Sequence, residues 1–192
     1  MKTIDKSILL AAKIAAKTRD NNNILSNVQI KSNEIIATES HYLLKIKKWN
    51  GFDVEEFPTF DKTPLHSNIP EKGILINAKD ILKKLKFEKS QTLPILETAV
   101  ILNKEKTAEF LTTDLETNTK IELKKSEGIY PDVTKVFPDK DSEHKTITFF
   151  ADFLIELLQA FKGGNVSFKV FDRCILIEDD NESKEGLLVV KS

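Results

Sequence analysis

The stretch Ile35-Ile36-Ala37-Thr38-Glu39-Ser40-His41-Tyr42-Leu43-Leu44-Lys45-Ile46 sets the reading of the whole chain. Two short apolar runs, β-branched in the first, flank the polar turn Glu39, Ser40 and His41. That pattern predicts strand, tight turn, strand. A hairpin alone says little about function. Its weight comes from the segments that fall into order around it.

Upstream, residues 2–4 form a short candidate strand and Ser7 is placed to cap a helix running to about Thr18. Ile8, Leu9, Ala12, Ala15 and Ala16 share one face of it, with Lys6, Lys13 and Lys17 elsewhere. Asp20-Asn21-Asn22-Asn23 stops the helix, and strands follow at 24–31, 34–38 and 42–47. Residues 48–72, with Pro58, Pro64 and Pro70, read as a long loop. The same order then returns: a strand at 74–76, a helix at 78–87 with Ile81, Leu82 and Leu85 inward, and strands at 99–103, 109–113 and 119–125. After a turn-rich link at 126–141 comes a third round: a strand at 146–150, a helix at 151–162 closed by Gly163-Gly164-Asn165, and strands at 166–171, 174–178 and 186–191. The chain therefore reads as three copies of strand, helix and three strands, with a period of roughly 70 residues. A unit with one striped helix and one small sheet cannot bury its apolar side alone, so units must pair. The predicted class is α+β, helices on one side and antiparallel sheets on the other. Three units leave one without a mate.

Composition narrows the possibilities. The 192 residues are 40% hydrophobic and 31% charged, which suits a soluble chain with a sizeable core. A net charge of -1 gives no overall pull toward nucleic acid or membrane, so any such attraction must be local. The single Cys174 allows no internal disulfide and fits a reducing cytoplasm. Asp5 and Lys6 before a five-residue apolar run broken by Lys13 argue against a signal peptide, and no stretch reaches the length of a membrane span.

No catalytic pattern emerges, so the chain is expected not to be an enzyme and to carry no cofactor or metal. His41, His66 and His144 lie far apart, without metal-ligand spacing. Cys174 sits in an apolar strand and reads as a small buried hydrophobe. Gly163-Gly164 lacks phosphate-loop spacing. Asp114, Glu116 and Glu122 suit a solvated sheet face, and Asp179-Asp180-Asn181-Glu182 a solvated turn. Lys79, Lys83 and Lys86 recur at i, i+4 and i+7, with Lys84 and Lys89 nearby, and Lys6, Lys13 and Lys17 form a similar basic set on the first helix. Such faces neutralise phosphates without reading bases, although the polar side of any amphipathic helix looks the same. The third helix differs, with Asp152, Glu156 and Gln159 and one basic residue, Lys162.

The order of segments resembles the bacterial DNA polymerase III β sliding clamp. Ala37-Thr38-Glu39-Ser40-His41-Tyr42-Leu43 resembles the Ala-Thr-Asp-Gly-His-Arg-Leu hairpin of that family's middle domain, with Ser40 for Gly and Tyr42 for Arg. Tyr130-Pro131-Asp132-Val133-Thr134-Lys135-Val136-Phe137-Pro138 resembles the Phe-Pro-Asp-Tyr-Arg-Arg-Val-hydrophobic-Pro segment closing the same domain. Residues 147–192 are similar to the second half of the last clamp domain, and the likeness spans nearly the whole chain.

The resemblance implies that residues 1–138 form one complete clamp domain of two units and that 139–192 form half of another. Clamp rings surround duplex DNA with twelve such units, helices lining the hole, so four chains of three units would supply a ring. A two-fold pairing of terminal half-domains would complete the odd unit. The implied function is a processivity factor: a homo-oligomeric ring, dimer or tetramer, tethering a polymerase. Lys13, Lys17, Lys79, Lys83 and Lys86 would contact DNA phosphates. Carried over by position, a groove for peptides of polymerases and clamp loaders would include Leu25, Thr38, Ser40, His41, Tyr42, Leu43, Pro131, Val136, Leu188 and Val190. Core filling is the competing role for Leu25, Leu43, Val136, Leu188 and Val190. The alternative function is a clamp-fold interaction module that binds a protein and never encircles DNA.

Overall fold

In the computed structural model, which describes residues 2–20, 23–47, 57–58, 69–88, 90, 92–138, 147–161 and 164–189, the hairpin sits mid-sheet. The first unit runs β1 (Lys2–Asp5), α1 (Ser7–Ala15), β2 (Asn27–Ile30), β3 (Ile35–Thr38) and β4 (Tyr42–Ile46). The second runs β5 (Ile74–Asn77), α2 (Ala78–Lys84), β6 (Thr98–Asn103), β7 (Thr107–Thr113) and β8 (Asn118–Lys124). The third has α3 (Ala151–Leu158), β9 (Val166–Val170), β10 (Cys174–Asp179) and β11 (Lys184–Val189). The three expected helices and their order are present. His66, Lys89, His144, Thr146, Lys162, Gly163, Val190 and most of the loop at 48–72 lie outside the described residues.

The first two units exchange their opening strands. β1 does not join its own unit's sheet but pairs antiparallel with β6, Ile4 opposite Ala99. Reciprocally, β5 pairs with β2, Ile76 opposite Val28. The result is a four-stranded sheet, β1-β6-β7-β8, and a seven-stranded one, β5-β2-β3-β4-β11-β10-β9. The third unit enters the larger sheet through β11, which lies antiparallel to β4 with Leu187 opposite Leu43.

Strand alternation gives the large sheet two apolar faces. Val28, Ile35, Tyr42, Leu44, Ile76, Ile177 and Leu188 join the core under the helices, together with Ile8 and Ala12 of α1, Ile81 of α2 and Leu157 of α3. The other face carries Ile36, Leu43, Leu75, Leu176 and Leu187, covered by Tyr130 and Val133 of the link. Gly186 belongs to the helix face. A Cβ there would come within 3.0 Å of Leu157 and 3.1 Å of Phe161, so α3 sits close over β11. Gly73 has φ +80°, and a Cβ on it would lie 2.8 Å from the Ile30 carbonyl oxygen, which leaves no other residue at that turn.

Several boundaries move for local reasons. Ser7 is not the cap of α1: the Asp5 carboxylate accepts from its N–H at 2.8 Å, and the Ser7 hydroxyl is buried. Residues 24–26, expected as strand, make a 3-10 turn capped by Asn23, whose side chain accepts from Leu25 N–H. α2, capped by Asn77, stops at Lys84 because Leu85 turns extended and buries its side chain. Residues 147–150 of the strand expected at 146–150 are not part of a strand; Phe150 is extended (φ -84°, ψ 116°) and its carbonyl accepts from the Phe153 and Leu154 N–H groups at the start of α3.

Leu157 is fully buried in the core shared with α1 and β4. Leu157→Ala is expected to cost about 2–5 kcal/mol and to lower the urea midpoint of the whole unfolding transition. Loss of the third unit alone, as a separate early transition, would show that this core is not shared.

Candidate functional site

The hairpin turn is built by its own polar groups. Thr38 Oγ1 donates to the Tyr42 carbonyl at 2.8 Å, and the His41 N–H donates to Glu39 Oε1 at 3.0 Å. Ser40 takes φ +95°, a region that favours glycine and that an L side chain occupies under strain. The clamp motif has glycine at this place.

Beyond the turn, the predicted groove residues separate by strand alternation. Leu43 and Leu25 lie on the link-covered face, in or against the cluster of Tyr130, Val133, Leu176 and Leu187. Pro131 and Val136 are exposed on the same link. Tyr42 and Leu188 point the other way, buried in the core beneath the helices. Neighbouring residues of a strand face opposite sides, so the structure does not bring these two to the face that holds Leu43. Ser40 and His41 are exposed at the turn, Thr38 is half-buried beside it, and Val190 lies outside the described residues.

Two residues outside the predicted groove complete this face. Phe137, one residue after Val136, packs against the cluster, and the Lys45 ammonium lies 5.4 Å from its ring centroid. Lys45 also meets Glu34 at 3.2 Å, and Glu34 meets Lys31 at 2.6 Å. The face thus has an apolar floor with a charged border. A separate cleft of about 920 Å³ opens nearby, bordered by Gln29, Lys72, Gly73, Ser126 and Tyr130, and of the predicted groove it shares only Pro131.

On the opposite side, α3 docks against the hairpin through contacts that the sequence did not reveal. His41 stacks on Phe153 with ring centroids 4.6 Å apart and planes at 27°. The Tyr42 hydroxyl donates to Glu156 Oε2 at 2.7 Å, and Lys17 Nζ meets the same oxygen at 2.6 Å. Burial first, then the Glu156 carboxylate, push the Tyr42 hydroxyl well above the usual tyrosine range. Lys17, followed by Tyr42, holds the Glu156 carboxyl below the usual glutamate range. A long-range partner for a lone Glu on a helix carries no periodic signal.

The basic residues divide as well. α1 and α2 pack against one another, and Lys13, Lys79 and Lys83 are exposed on them. Lys17, just past α1, is ion-paired with Glu156. Lys86 lies beyond the end of α2, so the i, i+4, i+7 spacing is not carried on one helix; its ammonium reaches back to the Leu82 carbonyl at 3.4 Å. Exposed α3 positions include Asp152 and Ile155, and no described α3 position is basic. Among the described residues no group of three His, Cys, Asp or Glu is placed to hold a metal, and no helix is long and apolar enough to cross a membrane. Cys174 is buried, and burial pushes its thiol up.

Repeated strand-helix-three-strand units, paired by strand exchange with helices on one side of the sheets, define the DNA-clamp fold. Solved structures agree. The DNA polymerase III β chain of Streptococcus pneumoniae matches 99% of this chain at TM-score 0.64 and 15% identity. The Caulobacter crescentus β subunit matches all of it at TM-score 0.66 and 12% identity. So does the Bartonella birtlesii sliding clamp, solved with griselimycin bound, at TM-score 0.65 and 12% identity. The chain spans 64–66% of the length of these proteins. No protein-family model matches the sequence, and no curated protein matches it.

Replacing Ser40 by glycine is expected to raise stability by about 1 kcal/mol, read as a higher urea midpoint. A fall would show that the Ser40 side chain makes a stabilising contact of its own. Glu156→Gln tests the junction by pH. The depressed Glu156 carboxyl contributes stability above the ordinary glutamate pKa of about 4.3, and that contribution fades as pH falls through the folded value. Acid destabilisation below about pH 4.3 should be shallower in the variant, and identical slopes would remove Glu156 from the account.

Proposed function

We propose that the protein is a sliding-clamp-like processivity factor. It encircles duplex DNA as a homo-oligomeric ring and tethers a polymerase through a peptide-binding face. The observation that supports this best is a likeness to sliding clamps extending over the full chain, helices and sheets together. Lys13, Lys79 and Lys83 on α1 and α2, with Lys86 just past α2, supply phosphate contacts, and Lys17 adds what its pairing with Glu156 leaves. Such contacts are indifferent to sequence and steep in salt.

The peptide face consists of Leu25, Thr38, Ser40, Leu43, Pro131, Val136 and Phe137, with His41 at its turn held against Phe153 on the far side. Exposed Pro131 and Val136 take apolar anchors of the Leu or Phe kind, and the polar hairpin turn orients the peptide backbone. In this reading Tyr42 and Leu188 support the face from behind. The acidic, apolar surface of α3 favours the second reading, a clamp-fold module that binds protein without encircling DNA.

The test is topological. A ring stays on nicked circular DNA and is lost when the circle is cut, whereas a surface binder makes no such distinction. Lys79→Glu with Lys83→Glu should lower retention and flatten the salt dependence, by about 0.9 in log–log slope for each phosphate no longer neutralised. Unchanged retention would remove these lysines from the DNA interface. Val136→Glu, at a side chain 53% exposed, should leave folding intact and weaken a Leu- and Phe-bearing peptide at least about tenfold. Peptide binding without retention on circles would establish the second reading instead.

A further inference from the structure

The link from Ser126 to Phe137 crosses one face of the seven-stranded sheet and borders two depressions on the way. At its start the Ser126 N–H donates to the Leu75 carbonyl of β5 at 2.8 Å. At its end Phe137 lies against Lys45 of β4. The second half of the link carries the proposed peptide face, and the first half borders the cleft of about 920 Å³. The two depressions meet at Pro131, which belongs to both.

The cleft continues the same sheet face and has the size of a ligand site, roughly 300–1,000 Å³. Gln29 lines it and stands opposite Leu75 in the β2–β5 register, so it shares the face of Leu75 and Leu43. Pro70 and Ile74 border the cleft from the β5 side, Ile129 and Pro131 from the link. Ile129 is 92% exposed, more than any other large apolar side chain among the described residues. Its neighbours hold it there. Gly128 packs so closely that a Cβ on it would lie 2.8 Å from Ile24, and Tyr130 is buried beneath the link. With Pro131 and Val136, also exposed, Ile129 gives the link an apolar series that runs from the cleft to the peptide face.

The polar groups decide what the cleft takes. Gln29 is only 8% exposed, and its amide donates one N–H to the Lys72 carbonyl at 3.0 Å. The amide oxygen accepts from no described residue, and a buried acceptor of that kind favours a ligand N–H. Around the rim, Lys72, Lys106 and Lys124 alternate with Glu71, Glu105 and Glu127. The remaining lysines, Lys31 and Lys125, are bonded to Glu34 and Asn103. Signs that cancel give little pull toward a phosphate backbone, whereas a peptide suits them.

We infer that the cleft is a second seat for the partner peptide, taking in extended form the segment next to its Leu or Phe anchors. One apolar side chain of that segment packs against Ile129, Pro70 and Pro131, and a backbone N–H donates to the Gln29 amide oxygen. This rests on the peptide face of the proposed function and adds that recognition spans both sides of the link.

The test compares a short synthetic peptide bearing Leu and Phe with versions lengthened at either end by a polar extension carrying one Leu. One lengthened version should bind at least about tenfold tighter than the short peptide, and the gain should persist in high salt. Ile129→Asp, at a side chain already in solvent, should remove that gain and leave the short peptide's affinity unchanged. Val136→Glu should weaken both. Equal affinities, or a gain that survives Ile129→Asp, would overturn the second seat. The extension alone separates this inference from the peptide face. In nuclear magnetic resonance titrations it should shift the amide signals of Leu75, Ser126 and Ile129. Such shifts with no binding of the short peptide would remove the peptide face and keep the cleft as a peptide site. No shift at any of the three would remove the cleft.

Discussion

The structure depends on one reciprocal exchange: β1 completes the sheet of the second unit, and β5 completes that of the first. Each sheet then carries a strand contributed from beyond its own helix, so neither unit can close its core alone. The exchange brings α1 and α2 side by side over one continuous apolar core, with Ile4, Val28, Ile76 and Ile101 all fully or almost fully buried. Everything else in the fold extends that pair. Extension happens at β4, whose outer edge is taken by β11 rather than by solvent.

This extension explains the position of the hairpin. Because β4 is joined on both sides, successive residues of β3 and β4 are committed to two different interiors. Tyr42 and Leu44 serve the helix core, while Leu43 serves the apolar floor beneath residues 130–137. The proposed peptide seat lies on that floor, backed by rigid sheet, which is a favourable setting for a binding site. Lys31, Glu34 and Lys45 form a charged border to that floor, with the Lys45 ammonium 5.4 Å from the Phe137 ring centroid.

Much of this was legible in the sequence because it rests on local pattern. The repeated order of strand, helix and three strands survives at 11–15% identity to solved clamps, since periodicity needs only apolar residues at the right intervals. Element edges were less legible because they depend on single contacts, such as the Asp5 carboxylate taking the Ser7 N–H at the start of α1 or Leu85 turning back into the core. The site residues divided along the same line. Leu43 and Tyr42 look alike as members of an apolar run, and strand parity relative to a distant helix decides which faces the groove. Phe153 and Glu156 were invisible because their partners lie 112 and 114 positions away in His41 and Tyr42.

Charge follows from the same geometry. Glu156 looked like an obstacle to a positive helix surface when α3 was read alone. Folded, its carboxylate is occupied by Lys17 and the Tyr42 hydroxyl, so it subtracts one cation from the α1 surface and also fastens the third unit to the hairpin. That fastening holds α3 against the hairpin while Ile155 stays on the exposed face of the helix. The acidic residue and the apolar face of the third helix are therefore parts of one arrangement. The unit is held to its own chain by a polar clasp, with the apolar Ile155 on the exposed face of its helix.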